Sequence, residues 1–170
     1  MELKQSFENV RFRHKPAFYV VGVEVDIHYN TDDGTAPIGP LWDTWNSEKI
    51  AESIPHPVTP GEVYGITHSE TADNKAKYFI GMEVSTLADL PVGLVARKFS
   101  ASEIAVFDTT LEVVFSGGFW RTFYAKWLPQ SGYISHAEAE TFGKHSGIEV
   151  YKDYVDEKSP IQIYAPVVKK

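Results

Sequence analysis

Val21, Val23, Val25 and Ile27 recur every second residue, with Glu24 and Asp26 between them. That is the period of a half-buried strand, here over 18–27. The polar run Asn30-Thr31-Asp32-Asp33-Gly34 breaks it. Ile38, Leu41, Trp42, Trp45 and Ile50 then follow at three- and four-residue steps, the spacing of one helix face. Pro55, Pro57 and Pro60 end that helix and stiffen the connection. Strands are expected over 62–67 and 77–84, with a polar loop at 68–76.

The second half shows a similar order. Strands are expected over 92–99 and 103–109. A helix follows with Phe119, Trp120, Phe123, Tyr124 and Trp127 along one stripe, its early part weakened by Gly117 and Gly118. Pro129, Ser131 and Gly132 end it. Two more strands, over 148–152 and 161–167, are joined by a charged turn at 153–160. Each half thus reads strand–helix–strand–strand, with one further strand joining them. Glu62-Val63-Tyr64 in the first half recurs as Glu149-Val150-Tyr151 in the second, and each copy is followed by a strand carrying a tyrosine, Tyr78 or Tyr164. These patterns predict an α+β fold with antiparallel sheets and helices on one face. A single domain over 1–170 is expected, with an internal repeat near 18–84 and 92–167.

Composition narrows the function. The chain has 170 residues, 43% hydrophobic and 14% aromatic, enough for a core and an aromatic pocket. A net charge of −7 argues against direct nucleic-acid binding, which needs clustered lysine and arginine. The one basic run, Arg11-Phe12-Arg13-His14-Lys15, is expected to be a solvated lead-in to the first strand. With no cysteine in the chain, disulfides and thiolate chemistry are absent. Residues 1–16 carry no apolar run of the kind a secretory signal needs. No stretch approaches the roughly 18 apolar residues that span a bilayer. A cytoplasmic protein with no membrane partner is expected.

Residues two apart in a strand share a face, so Glu149 and Tyr151 point the same way. If the last two strands pair, Tyr164 is expected to join them in a polar-aromatic cluster. By the same logic Glu62, Tyr64 and Tyr78 form a second cluster. The alternative, solvated glutamates beside half-buried tyrosines, fits the same spacing. Trp42, Trp45, Trp120 and Tyr124 lie on the expected helices, where they suit either a core or a pocket. Rings beside a carboxylate are a means of holding an apolar cation. His136 and His145 border Glu138 and Glu140, but not at zinc-ligand spacing. No glycine-rich phosphate loop or nucleophile elbow occurs. Neither a metal, a cofactor nor a catalytic residue is assigned.

Several segments resemble one known family. They are Glu103-Ile104-Ala105-Val106-Phe107, Trp127-Leu128-Pro129-Gln130-Ser131-Gly132-Tyr133, Ile148-Glu149-Val150-Tyr151 and Ile163-Tyr164-Ala165-Pro166-Val167. Together they are similar to the GyrI-like small-molecule-binding domain, also called the AraC-type effector-binding domain. The resemblance implies two strand–helix–strand–strand modules about a pseudo-twofold axis, with a ligand cleft at their junction. It also implies an aromatic-lined cleft whose buried glutamate binds cationic drugs, and it places Glu149 in that role with Tyr164 nearby. Many members carry a helix-turn-helix domain. Here the recognisable domain starts within the first 20 residues, so a stand-alone ligand-binding form is expected.

The expected function is therefore binding of hydrophobic, cationic aromatic molecules of the kind that serve as effectors in transcription regulation. Two alternatives stay open. The same glutamate could serve a hydrolase of electrophilic small molecules, or the acidic chain could act on a protein partner such as a transcription regulator or a gyrase-like enzyme.

Overall fold

The computed structural model describes residues 1–28, 32–69, 75–135 and 144–170, except for the side chains of 144–146. The strands are β1 (Arg11–Lys15), β2 (Phe18–His28), β3 (Val63–Ser69), β4 (Lys75–Val84), β5 (Val95–Phe99), β6 (Ser102–Thr110), β7 (Tyr133–Ser135), β8 (Lys144–Tyr151) and β9 (Pro160–Lys169). All are antiparallel neighbours in one sheet, ordered β1-β6-β9-β8-β3-β4-β2-β5, with β7 pairing β9. The helices are α1 (Ile38–Ser47), α2 (Ile50–Ser53), α3 (Leu111–Ser116), α4 (Phe119–Thr122) and α5 (Leu128–Ser131), with a π-helical turn at Phe123–Trp127 between the last two.

The two halves share a strand order. Outward from the centre, the first half runs β3-β4-β2 and the second runs β8-β9-β6. That is the order a pseudo-twofold axis through the β3–β8 pair produces. Instead of separate sheets for each half, β3 and β8 hydrogen-bond directly, with Val63 opposite Tyr151 and Ile66 opposite Ile148.

Two short connections force this sheet to curl. Pro16-Ala17 joins β1, at one end of the strand path, to β2 near the other end, and Ser100-Ala101 joins β5 to β6 in the same way. Three Cα steps span at most about 11 Å. In a flat sheet the two strands that each connection joins would lie six spacings of about 4.8 Å apart, or roughly 29 Å. The inside of the curl is lined by Phe18, Tyr64, Ile66, Phe79, Phe99, Ile104, Val106, Ile148, Val150 and Tyr164. The opposite face carries α1–α5 over Tyr78, Ile80, Met82, Tyr151, Ile161, Ile163 and Ala165.

Several elements differ from the sequence reading. The basic run 11–15 is strand β1, not a solvated lead-in, because β6 supplies a full register from Arg11–Val106 to Lys15–Ser102. As an exposed edge strand it needs no apolar alternation. The strand expected from Val92 starts at Val95, since Pro91 and Gly93, at φ +87°, interrupt extension. Gly118 at φ +75° does more than weaken a helix: it separates α3 from α4. Thr110 caps α3 by accepting from the Val113 amide, and this helix was not expected. The break expected at 30–34 lies partly outside the described residues, as does the core of the 68–76 loop.

Inside the curl, the Lys15 ammonium lies 2.9 Å from the Glu83 carboxylate and 4.2 Å from the centre of the Phe18 ring. Tyr64 donates to the same carboxylate at 3.0 Å. This ties β1, which pairs with β6 of the second half, to β4 of the first. Arg11 pairs with Asp108, but both side chains are about half exposed (49% and 51%). Lys15→Ala is expected to cost about 2 kcal/mol in urea unfolding, because Glu83 loses a shielded charged partner. Arg11→Ala is expected to cost under about 1 kcal/mol.

Candidate functional site

The site begins with the pleat of β8. Ile148 and Val150 point into the curl, so Glu149 and Tyr151 point to the helix face. Glu149 is only 8% exposed. Its Oε1 accepts a hydrogen bond from the Tyr78 hydroxyl at 2.5 Å and another from the Tyr151 hydroxyl at 2.9 Å. Trp42 Nε1 in turn donates to the Tyr78 oxygen at 3.2 Å. Each donor in this chain polarises the next. Among the described residues no lysine, arginine or histidine contacts the carboxylate.

Burial raises the Glu149 pKa above the ordinary carboxylate value, opposed by the two tyrosine hydrogen bonds. Burial also raises the Tyr78 and Tyr151 phenols, which the neighbouring carboxylate pushes up further. Both phenols therefore stay protonated and act as donors.

Gly65 makes this packing possible. It lies directly opposite Glu149 in the β3–β8 pair. A Cβ there would fall 2.3 Å from the Tyr78 hydroxyl and 2.7 Å from Glu149 Oε1. A glycine within a strand is a mark of close approach, and this signal could have located the carboxylate's partner from sequence.

A cavity of about 470 Å³ opens beside the cluster, between α1 and α3. Trp42, Trp45, Val63 and Tyr151 form its inner wall, with Phe115 and Tyr154 toward its mouth. Trp42 meets Tyr151 edge-on at 4.9 Å, and Tyr151 meets Tyr154 the same way at 5.1 Å. The rings of Trp42 and Tyr151 thus belong to both the cavity wall and the hydrogen-bonded cluster.

The structure gathers Glu149, Tyr151, Tyr78, Trp42 and Trp45 and separates the other expected site residues from them. Tyr164 pairs opposite Ile148, not Glu149, and its side chain enters the curl. The expected Glu149–Tyr151–Tyr164 cluster is therefore corrected: the register sends Tyr164 to the other face. The Glu62–Tyr64–Tyr78 cluster is corrected for the same reason. Tyr64 pairs with Gly81 and faces Glu83 inside the curl, whereas Tyr78 faces the helices. Tyr64 also lies opposite Val150, so the two Glu-Val-Tyr copies are one residue out of phase in the fold. Glu62 raises the pKa of Tyr64 and of Tyr164, which places its charge near the inner face. Trp120 covers Gly147, where a Cβ would fall 2.7 Å from its ring, and stacks on exposed Tyr124. Neither lines the cavity.

Sequence reasoning missed Leu111, Phe115 and Tyr154. The four-residue spacing of Leu111 and Phe115 marks a helix face and could have found α3. The stretch with His136, Glu138 and Glu140 lies outside the described residues, as does the side chain of His145.

Residues 11–167 match the model of the integron-associated effector binding protein family, Cass2, and the chain belongs to that family. No curated protein matches the chain. Its fold is similar to SAV2435 bound to tetraphenylphosphonium, with TM-score 0.71, 16% identity and 94% of each chain covered. It is also similar to an integron cassette protein from the mobile metagenome of Vibrio cholerae, with TM-score 0.63, 18% identity, and 95% and 97% covered. The C-terminal domain of EcmrR gives TM-score 0.62, 13% identity, and 95% and 98% covered. These likenesses show the GyrI-like fold. Among the described residues no helix is long and apolar enough to cross a membrane.

The raised Glu149 pKa has a consequence for stability. The folded state holds this proton more tightly than the unfolded chain does. The group therefore favours folding below the ordinary carboxylate value, and that contribution is lost as pH rises through the raised value. Glu149→Gln is expected to be more stable than the parent at about pH 8, by roughly 2–4 °C in Tm for about 1 kcal/mol. Its advantage should shrink at about pH 4. Equal differences at both pH values would show that Glu149 has an ordinary pKa.

Proposed function

We propose that this chain binds hydrophobic aromatic cations in the cavity between α1 and α3, with Glu149 supplying the charge that selects them. The observation that carries this reading is the buried Glu149 carboxylate, held by two phenols and with no counter-charge among the described residues, behind the aromatic wall of that cavity. A buried charge is costly unless a partner offsets it. Family membership supports an effector-binding role, and the tetraphenylphosphonium bound to SAV2435 supports the ligand class.

Size and field are adequate. The volume of about 470 Å³ lies within the usual range for small-molecule sites. The carboxylate need not touch the ligand. At about 6 Å and an effective dielectric constant of about 20, opposite charges attract by roughly 3 kcal/mol before desolvation. Contacts with the ring faces of Trp42, Trp45 and Tyr151 would add about 0.5–2 kcal/mol for each well-placed cation–π contact. Apolar burial contributes roughly 25 cal/mol per Å². These terms, less the entropy of association, reach the roughly −8 kcal/mol of a micromolar complex.

We further read the effector as a drug-like ligand that acts in the cytoplasm and serves transcription regulation. Titration with tetraphenylphosphonium, followed by tryptophan fluorescence and calorimetry, tests the core of the reading. Glu149→Gln is expected to weaken it by about tenfold, or 1.4 kcal/mol, while leaving neutral triphenylphosphine oxide within about twofold. Trp42→Ala should weaken both. Equal losses for cation and neutral compound in Glu149→Gln would contradict the charge assignment.

A further inference from the structure

The cavity carries a second carboxylate. Asp153 lies at its mouth, two residues beyond Tyr151 and four beyond Glu149. Tyr151 ends β8, and Asp153 follows in the left-handed conformation, at φ +53°. Aspartate tolerates that conformation better than most residues. It is exposed, and among the described residues it has no hydrogen-bond or ion-pair partner, although Lys152 and Lys158 are near in sequence.

The two carboxylates differ in setting. Glu149 is buried, fixed by phenols and reached through rings. Asp153 is solvated, on a turn and directly in the wall. Tyr151 and Tyr154 form a continuous edge-to-face pair between the inner wall and the mouth. Four extended residues span at most about 13 Å of backbone, so both charges fall within reach of one elongated ligand.

We propose that Asp153 is a specificity residue that favours dications: an aromatic cation in the cavity joined by a short arm to a second positive group at the mouth. This rests on the reading of the cavity as a site for aromatic cations. A single exposed ion pair is weak, with a gain of about 1.5- to 5-fold in affinity. It is screened by salt, unlike the contribution of Glu149. It discriminates between ligands that share one aromatic body and differ in the arm.

Ethidium and propidium are such a pair, both phenanthridinium cations, with propidium bearing a quaternary ammonium on a propyl arm. Affinities for both are measured by calorimetry on the full chain, the parent beside Asp153→Asn, Asp153→Ser and Glu149→Gln. Circular dichroism checks that each variant is folded. The parent is expected to favour propidium by about threefold at low salt, and less at about 0.5 M salt. Both Asp153 variants should remove that preference, with a larger loss for propidium than for ethidium. Glu149→Gln should weaken both dyes while keeping their ratio. A preference for propidium that survives both Asp153 substitutions, or no preference in the parent, would overturn the dication proposal while leaving the cation reading intact. Failure of the parent to bind either dye or tetraphenylphosphonium would overturn both. Loss of ethidium binding equal to that of propidium in the Asp153 variants would give Asp153 a general role in shaping the mouth and would also overturn the proposal.

Discussion

The arrangement of the helix face depends on one buried carboxylate held by neutral donors. Glu149 receives two phenolic hydrogen bonds, and the tryptophan indole of Trp42 orients one of those phenols. Hydrogen bonds to the charged form lower the carboxyl pKa, while burial raises it, and burial prevails. The protein itself could have balanced this charge with a lysine, as it does inside the curl with Lys15 and Glu83. The contrast between the two faces is informative. One carboxylate has its cation built in beside Phe18 and Tyr64, and the other has rings and a cavity but no cation among the described residues.

Backbone constraints bring that carboxylate to the cavity. The strand order makes β3 and β8 the central pair, so the candidate site lies at the junction of the halves. Tyr78 comes from the first half, Glu149 and Tyr151 from the second, and Trp42 from α1 of the first. Neither half contains the site alone. Gly65 supplies the space in which they meet, since any side chain there would enter the volume of the Tyr78 hydroxyl and the Glu149 carboxylate.

Much of this was legible in the chain before folding, for specific reasons. Two-residue spacing placed Glu149 beside Tyr151, and three-residue spacing placed Trp42 beside Trp45 on one helix face. Local periodicity determines both. The partnership of Glu149 with Tyr78 was not legible, because it depends on register across the β3–β8 and β3–β4 pairs. A shift of one residue moves a side chain to the opposite face. The repeated Glu-Val-Tyr suffers that shift, which sends Tyr64 into the curl and Tyr151 toward the helices. Tyr164 was misplaced for the same reason. Strand β1 escaped notice because an edge strand with Arg11, Arg13 and Lys15 lacks the apolar alternation of a buried one.

Proton release on ligand binding tests the central claim most directly. A bound cation favours the ionised form of Glu149, so binding near its raised pKa must expel a proton. Calorimetry of tetraphenylphosphonium binding in buffers of different ionisation enthalpy counts those protons. The parent is expected to release a fraction of a proton, with the release greatest at a pH above the ordinary carboxylate value, and Glu149→Gln should release none there. A parent protein that binds the cation with no proton release at any pH above the ordinary carboxylate value would contradict the account, because the Glu149 carboxylate would then not respond to the bound charge.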